Sequence, residues 1–325
     1  MSECVALCGG VGGAKLALGL AHEMDAARLT VVTNTADDFV HLGLHVSPDL
    51  DTVVYTLAGL ADPTTGWGRD EETWTFMAAL AALGGETWFR LGDSDLATHV
   101  ERTRRLDAGE TLSAVTAEFC ARLGIAAQVV PMSDDPVRTM VETDEGTLPF
   151  QHYFVRERCR PRITRLRFEG AEAAANPIVL DALAEGGLGA VVLCPSNPLI
   201  SIDPILAVPD IRAALNACPA PIVAVSPIVG GRAIKGPTAK MMGELGMAVT
   251  AEAVAGHYAG LLDGYVLDRA DADQADRVRD QGLEVLVTET VMRGLGERRA
   301  LARRVLDFAG RCGKAREPAR RRRGQ

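Results

Sequence analysis

Apolar runs and helical periodicity alternate along the chain in an order typical of a parallel α/β protein. The first segment, "CVALCGGVGGAKLALGLAHEM", predicts a short strand, a glycine-rich turn and a helix, and "RLTVVTNT" predicts a second strand. From about position 163 the alternation resumes with "AVVLCPSNP", "PIVAVSPIVGG", "DGYVLDRAD" and "LEVLVTET", separated by helical stretches such as "PDIRAALNA" and "AKMMGELG". Strands that are apolar on both faces and spaced by helices predict a mostly parallel sheet covered on both sides.

The strand pattern is interrupted between these two regions. Residues 51–123 predict several helices, in "TVVYTLAGL", "EETWTFMAALAALGG", "SDLATHVERTRRL" and "TLSAVTAEFCARLG". Thr111 or Gly109, near the start of the last of these, is the expected cap and stop signal. After it, "AAQVVPMSDD" predicts a strand, and "VRTMVET" and "LPFQHYFVRE", joined by "DEG", predict a hairpin. We therefore expect an α/β core of residues 1–50 and 124–310 with a helical insertion at 51–123.

Composition places the chain among folded globular proteins. With 325 residues, 47% of them apolar, it can bury a substantial core. Seven cysteines without a CxxC pair predict reduced, mostly buried thiols. The first residues lack a basic region followed by a long apolar one, and no apolar run approaches the roughly 20 residues that span a bilayer. We expect a cytoplasmic protein that does not cross a membrane.

The net charge is distributed unevenly. The total is -9, yet the last fifteen residues, "RCGKAREPARRRRGQ", carry seven basic residues and one acidic. The rest of the chain is therefore more acidic than the total, which argues against a nucleic-acid-binding body. We expect residues 311–325 to form a disordered, solvated and dispensable tail, the alternative being a contact with RNA or an acidic surface.

The turn "GGVGGAK" lies between the first predicted strand and helix. Backbone N–H groups and the helix dipole favour an anion there, so Gly10, Gly12, Gly13 and Lys15 are candidate phosphate-binding residues. The turn is not a Walker A loop, because Ala14 precedes the lysine and no Ser or Thr follows it, and it does not fit GxGxxG. Close packing of helix against strand is the alternative reason for the glycines.

Three later loops follow predicted strands. They contain "PSNP", with Ser196 and Asn197, then "SPIVGG" leading to Lys235, and "PMSDD". Any single proline here is an ordinary turn signal. The loops at the carboxyl ends of parallel strands gather at one edge of the sheet, where ligands bind. We therefore expect these loops and the glycine turn to share one cleft, with Ser196, Asn197 and Lys235 binding a nucleotide or its phosphates.

The loop "TNTADDFVHLGLHVSPDLDT" is unusually acidic. It carries four aspartates, Asp37, Asp38, Asp49 and Asp51. Carboxylates beside a phosphate site repel the phosphate unless a cation lies between them, and Mg²⁺ suits both groups. The alternative is capping and solvated turn chemistry, for which Asp51 is well placed ahead of "TVVYTL". His41 and His45 have the spacing of a zinc-binding helix, but a glycine lies between them and HExxH is absent, which disfavours a metal role.

Six motifs in order resemble the 2-phospho-L-lactate transferase family, the CofD proteins of coenzyme F420 biosynthesis. They are "CGGVGGAK", "NTADDFVHLGLHVSPDLDT", "RLGDSDLATH", "PMSDDPVRTMVET", "PSNPLISIDPIL" and "SPIVGGRAIKGPTAKM", and the resemblance runs from about Val5 to Ala309. It implies a Rossmann-like, three-layer αβα core with a small helical insertion, and a homodimer. It also implies Mg²⁺-dependent transfer of a phospholactyl group from a guanosine-diphosphate-linked donor to the deazaflavin Fo, with release of GMP.

The resemblance assigns roles to particular residues. It implies that Asp51 and Arg90 bind Fo, that Asp51 orients or deprotonates the attacking hydroxyl, and that Asp37 or Asp38 faces the metal. The motifs do not distinguish a lactate from an enolpyruvate or glycerate donor. The alternative is a non-catalytic, UDP-sugar-binding regulator of the same fold, which shares the glycine turn and "PSNP" but is not expected to keep "HLGLHVSPDLDT" or "RLGDSDLATH".

Overall fold

A computed structural model describes residues 2–170 and 172–323, with 314–323 as backbone only. The strands are β1 (Glu3–Cys8), β2 (Leu29–Thr33), β3 (Phe39–His41), β4 (Leu44–Val46), β5 (Gln128–Pro131), β6 (Arg138–Thr143), β7 (Gly146–Pro149), β8 (Ile163–Glu169), β9 (Leu188–Leu193), β10 (Ile222–Val225), β11 (Ile228–Val229), β12 (Arg232–Ala233), β13 (Gly264–Asp268) and β14 (Glu284–Thr288).

The α-helices are α1 (Gly10–Glu23), α2 (Pro48–Leu57), α3 (Thr75–Ala82), α4 (Asp93–Asp107), α5 (Leu112–Arg122), α6 (Pro177–Ala184), α7 (Asp203–Ala207), α8 (Pro209–Ala217), α9 (Thr238–Glu244), α10 (Ala251–His257), α11 (Ala275–Arg279) and α12 (Leu295–Arg323). Short π-helices cover His152–Arg156 and Pro198–Ile202, and 3-10 turns cover Ala26–Arg28 and Arg269–Gln274. None of the helices in the described part is long and apolar enough to cross a membrane.

Seven strands form one sheet in the order β14-β13-β10-β9-β1-β2-β5, and every neighbouring pair is parallel. The chain starts at β1, adds β2 and β5 on one side, and then returns to build β9, β10, β13 and β14 on the other. The order reverses between β1 and β9, and ligands of open α/β sheets bind beside such a reversal. The predicted α/β, Rossmann-like three-layer fold is confirmed.

The two faces of the sheet are buried under different helices. Along β1, Val5 and Leu7 belong to one apolar cluster, while Cys4, Ala6 and Cys8 belong to another. Alternation of this kind requires helices on both faces, which is why the strands are apolar throughout. All seven cysteines are free and six are buried, as predicted.

The helical insertion is smaller than residues 51–123. Helix α2 packs against α1, and its Leu50 and Val53 are buried in the same core cluster. Helix α5 packs against β5, and Thr111 caps it by accepting a hydrogen bond from the Ala114 N–H at 3.2 Å. Only the segment with α3 and α4 therefore stands outside the core layers.

A second addition is a small antiparallel sheet in the order β7-β6-β8. The predicted hairpin is present as β6 and β7, but its second strand ends at Pro149 and a π-helix over His152–Arg156 follows. The apolar and aromatic residues after Pro149 thus form a helical turn, although their composition favoured a strand.

Helix α12 continues past the predicted start of the tail. Cys312 is 2% exposed, and a Cβ added to Gly264 would lie 2.9 Å from its Sγ, so the two residues are in close contact. The prediction of a disordered tail from residue 311 is therefore wrong for Arg311–Gly313, which are helical. The side chains of the basic run that follows lie outside the described residues.

Candidate active site

A cavity of about 790 Å³ opens at the reversal point of the sheet. Nine of the predicted site residues line it: Gly10, Gly12, Lys15, Asp37, Asp51, Arg90, Ser196, Asn197 and Lys235. Gly13 and Asp38 are not among its lining residues. The predicted convergence of the glycine turn, the acidic loop and two of the strand-end loops is therefore observed.

The third strand-end loop, "PMSDD", does not reach this cavity. It follows β5, which is the outer strand of the sheet and lies two strands away from the reversal point. Its aspartates instead hold neighbouring loops, since Asp134 accepts a hydrogen bond from the Ser113 N–H at 2.7 Å and Asp135 accepts one from the Ala174 N–H at 3.0 Å. The expectation that this loop belongs to the shared cleft is wrong.

The glycines of the first turn permit close packing. A Cβ on Gly12 would lie 2.3 Å from the Pro195 carbonyl oxygen, and one on Gly13 would lie 2.5 Å from the Ser196 Oγ. The Ser196 hydroxyl in turn donates a hydrogen bond to the Gly9 carbonyl at 2.9 Å. Gly13 therefore has a packing role, and Ser196 joins the loops after β1 and β9.

The start of α1 is open to the cavity and lies beside Asp49. Gly10 has a φ of +60°, and Gly9, the residue before the helix, has no side chain with which to cap it. The Asp49 carboxylate accepts hydrogen bonds from Asn34 Nδ2 at 2.9 Å and Ser201 Oγ at 3.3 Å. Burial raises the pKa of Asp49 to about 6, although hydrogen bonds from Asn34 and the Gly10 backbone oppose the rise. A buried carboxylate thus lies where the helix N–H groups favour an anion.

Asp37 and Asp38 are adjacent in sequence but have different surroundings. Asp37 lines the cavity, is 5% exposed, and its Oδ1 has no hydrogen-bond partner among the described residues. Burial, and then the charge of Asp49, raise the pKa of Asp37 well above its ordinary value. Asp38 accepts a hydrogen bond from the Ser47 hydroxyl at 2.7 Å, and burial raises its pKa to about 7. Only Asp37 of the two predicted metal residues is therefore at the cavity.

Two of the acidic residues, Asp37 and Asp49, could hold Mg²⁺ together. In the described part of the chain, no three His, Cys, Asp or Glu side chains are grouped closely enough to hold a metal ion alone. Mg²⁺ commonly takes one or two carboxylates together with substrate phosphates and waters. Asp37 and Asp49 are buried, both line the cavity, and Asp37 retains an unpartnered oxygen. These two carboxylates suit the ion, whereas Asp38 is not among the residues that line the cavity.

Asp51 lies inside α2 and does not cap it. The helix begins at Pro48, and the Asp51 N–H donates to the Ser47 carbonyl at 2.9 Å, so the capping alternative for Asp51 is wrong. Its carboxylate forms a two-point ion pair with Arg102, one contact of which, Nη1 to Oδ2, measures 3.1 Å. Both side chains are buried, at 6% and 2% exposed. The pair fixes one orientation of a carboxylate that lines the cavity.

A polar network on α4 extends this pair. His99 Nδ1 lies 3.8 Å from the Asp51 Oδ2, and His99 Nε2 lies 3.3 Å from Asp95 Oδ2. The Tyr55 hydroxyl donates to Asp95 Oδ1 at 2.6 Å. The sequence analysis did not identify His99 or Arg102 as site residues. The spacing of Asp95, His99 and Arg102 would have placed them on one helical face.

Arg90 lies at an aromatic part of the cavity. Its guanidinium stacks over the Trp74 ring, 3.9 Å from the centroid. Trp88 and Phe89 also line the cavity and pack edge to face, with centroids 5.8 Å apart. His41 joins the same cluster, 5.0 Å from Trp88, and burial lowers its pKa. Flat aromatic walls of this kind suit a planar ring.

The remaining predicted nucleotide residues already have protein contacts. Lys15 donates to the Met292 carbonyl at 3.2 Å, and burial lowers its pKa. Lys235 donates to the Thr65 carbonyl at 2.5 Å and thereby joins two loops. The Asn197 side chain accepts a hydrogen bond from the Leu199 N–H at 3.0 Å and caps the following π-helix.

Comparison with known proteins identifies the family. The family described as 2-phospho-L-lactate transferase CofD matches residues 4–299. A phosphoenolpyruvate transferase from Streptomyces griseus subsp. griseus is 43% identical over 312 residues, which cover 94% of this chain and 98% of that relative. One from Mycolicibacterium smegmatis is 36% identical over 326 residues, which cover 94% and 98%.

Solved structures share the fold. A crystal structure of a UPF0052 family member from Bacillus halodurans has a TM-score of 0.61 at 14% identity and covers 94% of this chain and 98% of its own. At this identity the likeness concerns the fold alone. The sequence comparisons extend over nearly the whole chain, and from them it follows that the protein belongs to the 2-phospho-L-lactate transferase CofD family.

Proposed function

We propose that this protein transfers a phosphoenolpyruvyl group from a guanosine-diphosphate-linked donor to the ribityl hydroxyl of the deazaflavin Fo, and releases GMP, in coenzyme F420 biosynthesis. The choice of enolpyruvate over lactate or glycerate follows the names of relatives that are 36–43% identical. Action in the cytoplasm and assembly as a homodimer belong to the same proposal.

One observation supports this reaction most directly. Asp51 and Arg90, the residues of the acceptor-binding pattern, line the same cavity as the open start of α1 and the buried carboxylates Asp37 and Asp49. An acceptor hydroxyl at Asp51 and a diphosphate at the start of α1 can thus occupy a single cavity. Phosphoryl transfer depends mainly on such positioning and on neutralisation of charge.

The chemistry is a displacement at phosphorus. The Fo hydroxyl oxygen forms a bond to the phosphorus that carries the three-carbon acid, the bond from that phosphorus to the GMP oxygen breaks, and GMP leaves. Asp51 accepts the hydrogen bond of the hydroxyl and, held by Arg102, keeps its oxygen aimed at the phosphorus. The hydroxyl proton passes toward Asp51 as the new bond forms.

The donor diphosphate binds through the backbone N–H groups at the start of α1, with Lys15 and Lys235 nearby. When bound, Mg²⁺ neutralises charge on the diphosphate. Asp37 and Asp49 would hold it, and Asn34 and Ser201 orient Asp49 for that role. The aromatic cluster around Trp88 provides a surface for the planar deazaflavin and excludes water from the reacting groups.

The test is product analysis. The purified protein is incubated with Mg²⁺, Fo and the enolpyruvyl, lactyl or glyceryl donor, and the products are identified by mass spectrometry. We expect a phosphodiester of Fo together with equimolar GMP, with the enolpyruvyl donor preferred. Absence of any Fo-containing product with all three donors would refute the proposed function.

A further inference from the structure

Four cationic side chains of the described chain line the cavity: Lys15, Arg90, Arg158 and Lys235. Lys15 and Lys235 donate to backbone carbonyls, and Arg90 stacks on Trp74. Arg90 and Arg158 make no hydrogen bond or ion pair among the described residues, but Trp74 covers one face of the Arg90 guanidinium. Arg158 is therefore the cation at this cavity that no side-chain contact within the described chain engages.

The backbone at Arg158 is unusual. Its φ is +51° and that of Cys159 is +54°, and these are two of only four non-glycine residues with positive φ in the described chain. Arg158 follows the π-helix over His152–Arg156, and the Cys159 N–H donates to the Tyr153 carbonyl at 2.9 Å, which closes the helix end. Glycine is the usual residue at such an end. An arginine there accepts an unfavourable conformation, and the residue lines the cavity.

The loop that carries Arg158 is firmly held. Lys240 on α9 donates to the Tyr153 hydroxyl and to the Pro161 carbonyl, each at 3.1 Å. Arg160 is ion-paired with Glu157 at 2.6 Å. Arg158 thus projects from a segment anchored on both sides, which limits the loss of entropy when it binds a ligand.

The surroundings of Arg158 suit a small acid. Phe150, Phe154 and Val155, which precede Arg158 in the chain, line the same cavity, and the two phenylalanine rings stack with centroids 5.4 Å apart. An arginine beside apolar side chains can hold a carboxylate by two hydrogen bonds while the apolar groups contact a methyl or methylene. The other charged groups of the proposed substrates already have candidate partners, since the diphosphate has the start of α1 and the acceptor has Asp51.

We propose that Arg158 binds the carboxylate of the three-carbon acid on the donor and thereby selects donors that carry one. This inference rests on the proposed function. Phosphoenolpyruvate and 2-phospho-L-lactate, which appear in the names of the relatives and of the family, share a carboxylate next to the phosphorylated carbon. Arg158 is a specificity residue here, and it takes no part in bond formation.

The test combines one substitution with one change in the donor. The donors are the enolpyruvyl compound and its vinyl analogue, in which hydrogen replaces the carboxylate. For the wild type, removal of the carboxylate should lower kcat/KM roughly 10- to 100-fold, as expected for a charged hydrogen-bonded pair. With the enolpyruvyl donor, Arg158→Gln should lower kcat/KM by the same factor relative to the wild type. With the vinyl donor, the kcat/KM of Arg158→Gln should be close to that of the wild type. GMP binding should be unchanged.

Arg156→Gln is the matched control, since Arg156 is exposed, lies two residues earlier and does not line the cavity. It should behave as the wild type with both donors. Equal losses for Arg158→Gln with both donors, or none with either, would overturn the inference and leave the proposed function standing. A wild type that transfers no group from any donor would overturn both.

Discussion

Asp38 offers a direct test of the electrostatics of the acidic loop. It is buried, its Oδ2 accepts one hydrogen bond from Ser47, and its Oδ1 has no partner within the described residues. Burial raises its pKa to about 7, with the hydrogen bond from Ser47 opposing the rise. The protein should therefore be destabilised by ionised Asp38 at neutral pH, and Asp38→Asn removes that charge with little change in size.

The raised pKa of Asp38 makes the protein less stable as the pH rises. A carboxyl group with a raised pKa in the folded state binds its proton more tightly there than in the unfolded chain, whose value is 3.8. Its stabilising contribution is complete below pH 3.8 and is lost as the pH rises through about 7. On going from pH 5 to pH 8, the pH rises through roughly two units before it reaches the folded pKa of Asp38. The free energy of unfolding falls by about 1.4 kcal/mol per unit over that range, so about 3 kcal/mol of stability should be lost.

The measurement is urea denaturation of the wild type and Asp38→Asn at several pH values. The pKa of Asp49 is raised to about 6 and that of Asp37 is raised as well, so the informative quantity is the difference between the two proteins at each pH. The variant should gain about 3 kcal/mol relative to the wild type from pH 5 to pH 8. Asp107→Asn, at an exposed position, is the control and should show no such trend. A flat difference for Asp38→Asn would show that its carboxylate is solvated, and would refute the reasoning.

Other substitutions test the remaining assignments. Asp51→Asn should leave the buried Arg102 without its anionic partner and lower the free energy of unfolding by roughly 3 kcal/mol. Turnover of the folded fraction should fall at least about 100-fold. Turnover at the wild-type rate would contradict the proposed role of Asp51. Truncation after Gly310 should lower the melting temperature, because it removes the buried Cys312. Truncation after Gly313 should leave the melting temperature unchanged. Equal melting temperatures for the two truncated proteins would contradict the packing of Cys312. EDTA should abolish turnover and Mg²⁺ should restore it; full turnover in chelator would exclude the metal.

The core could be predicted from the sequence because its signals are local and repeated. Short apolar runs separated by helices are explained by few arrangements other than a parallel sheet covered on both faces. The glycine turn marked the first strand-to-helix connection. The insertion boundary at residue 51 was wrong because the packing of α2 against α1 is a tertiary contact that helical periodicity does not express. The start of α2 itself was readable in "SPDLDT", since Pro48 at the first helical position after Ser47 is a common start.

The site was predictable in position more than in detail. Loops after parallel strands must meet at one edge, so the cleft followed from topology. Which aspartate faces that cleft depends on the backbone path of an irregular loop, and neighbouring Asp37 and Asp38 diverge there for reasons that no periodicity expresses. The partner of Asp51 could have been predicted, because Arg102 lies on a regular helix. Its spacing from Asp95 and His99 in the sequence places the three residues on one face of that helix.

The four aspartates between Asp37 and Asp51 acquire distinct chemistry because each has different surroundings. Asp51 faces the guanidinium of Arg102, Asp49 is held by side chains and the start of α1, Asp38 has the Ser47 hydroxyl, and an oxygen of Asp37 has no described partner. Burial raises the pKa of Asp49 to about 6, so part of its population carries a proton near neutral pH, and burial raises the pKa of Asp37 as well. A cation that binds there with the donor must displace those protons. The affinity of the proposed site for Mg²⁺ should therefore rise with pH.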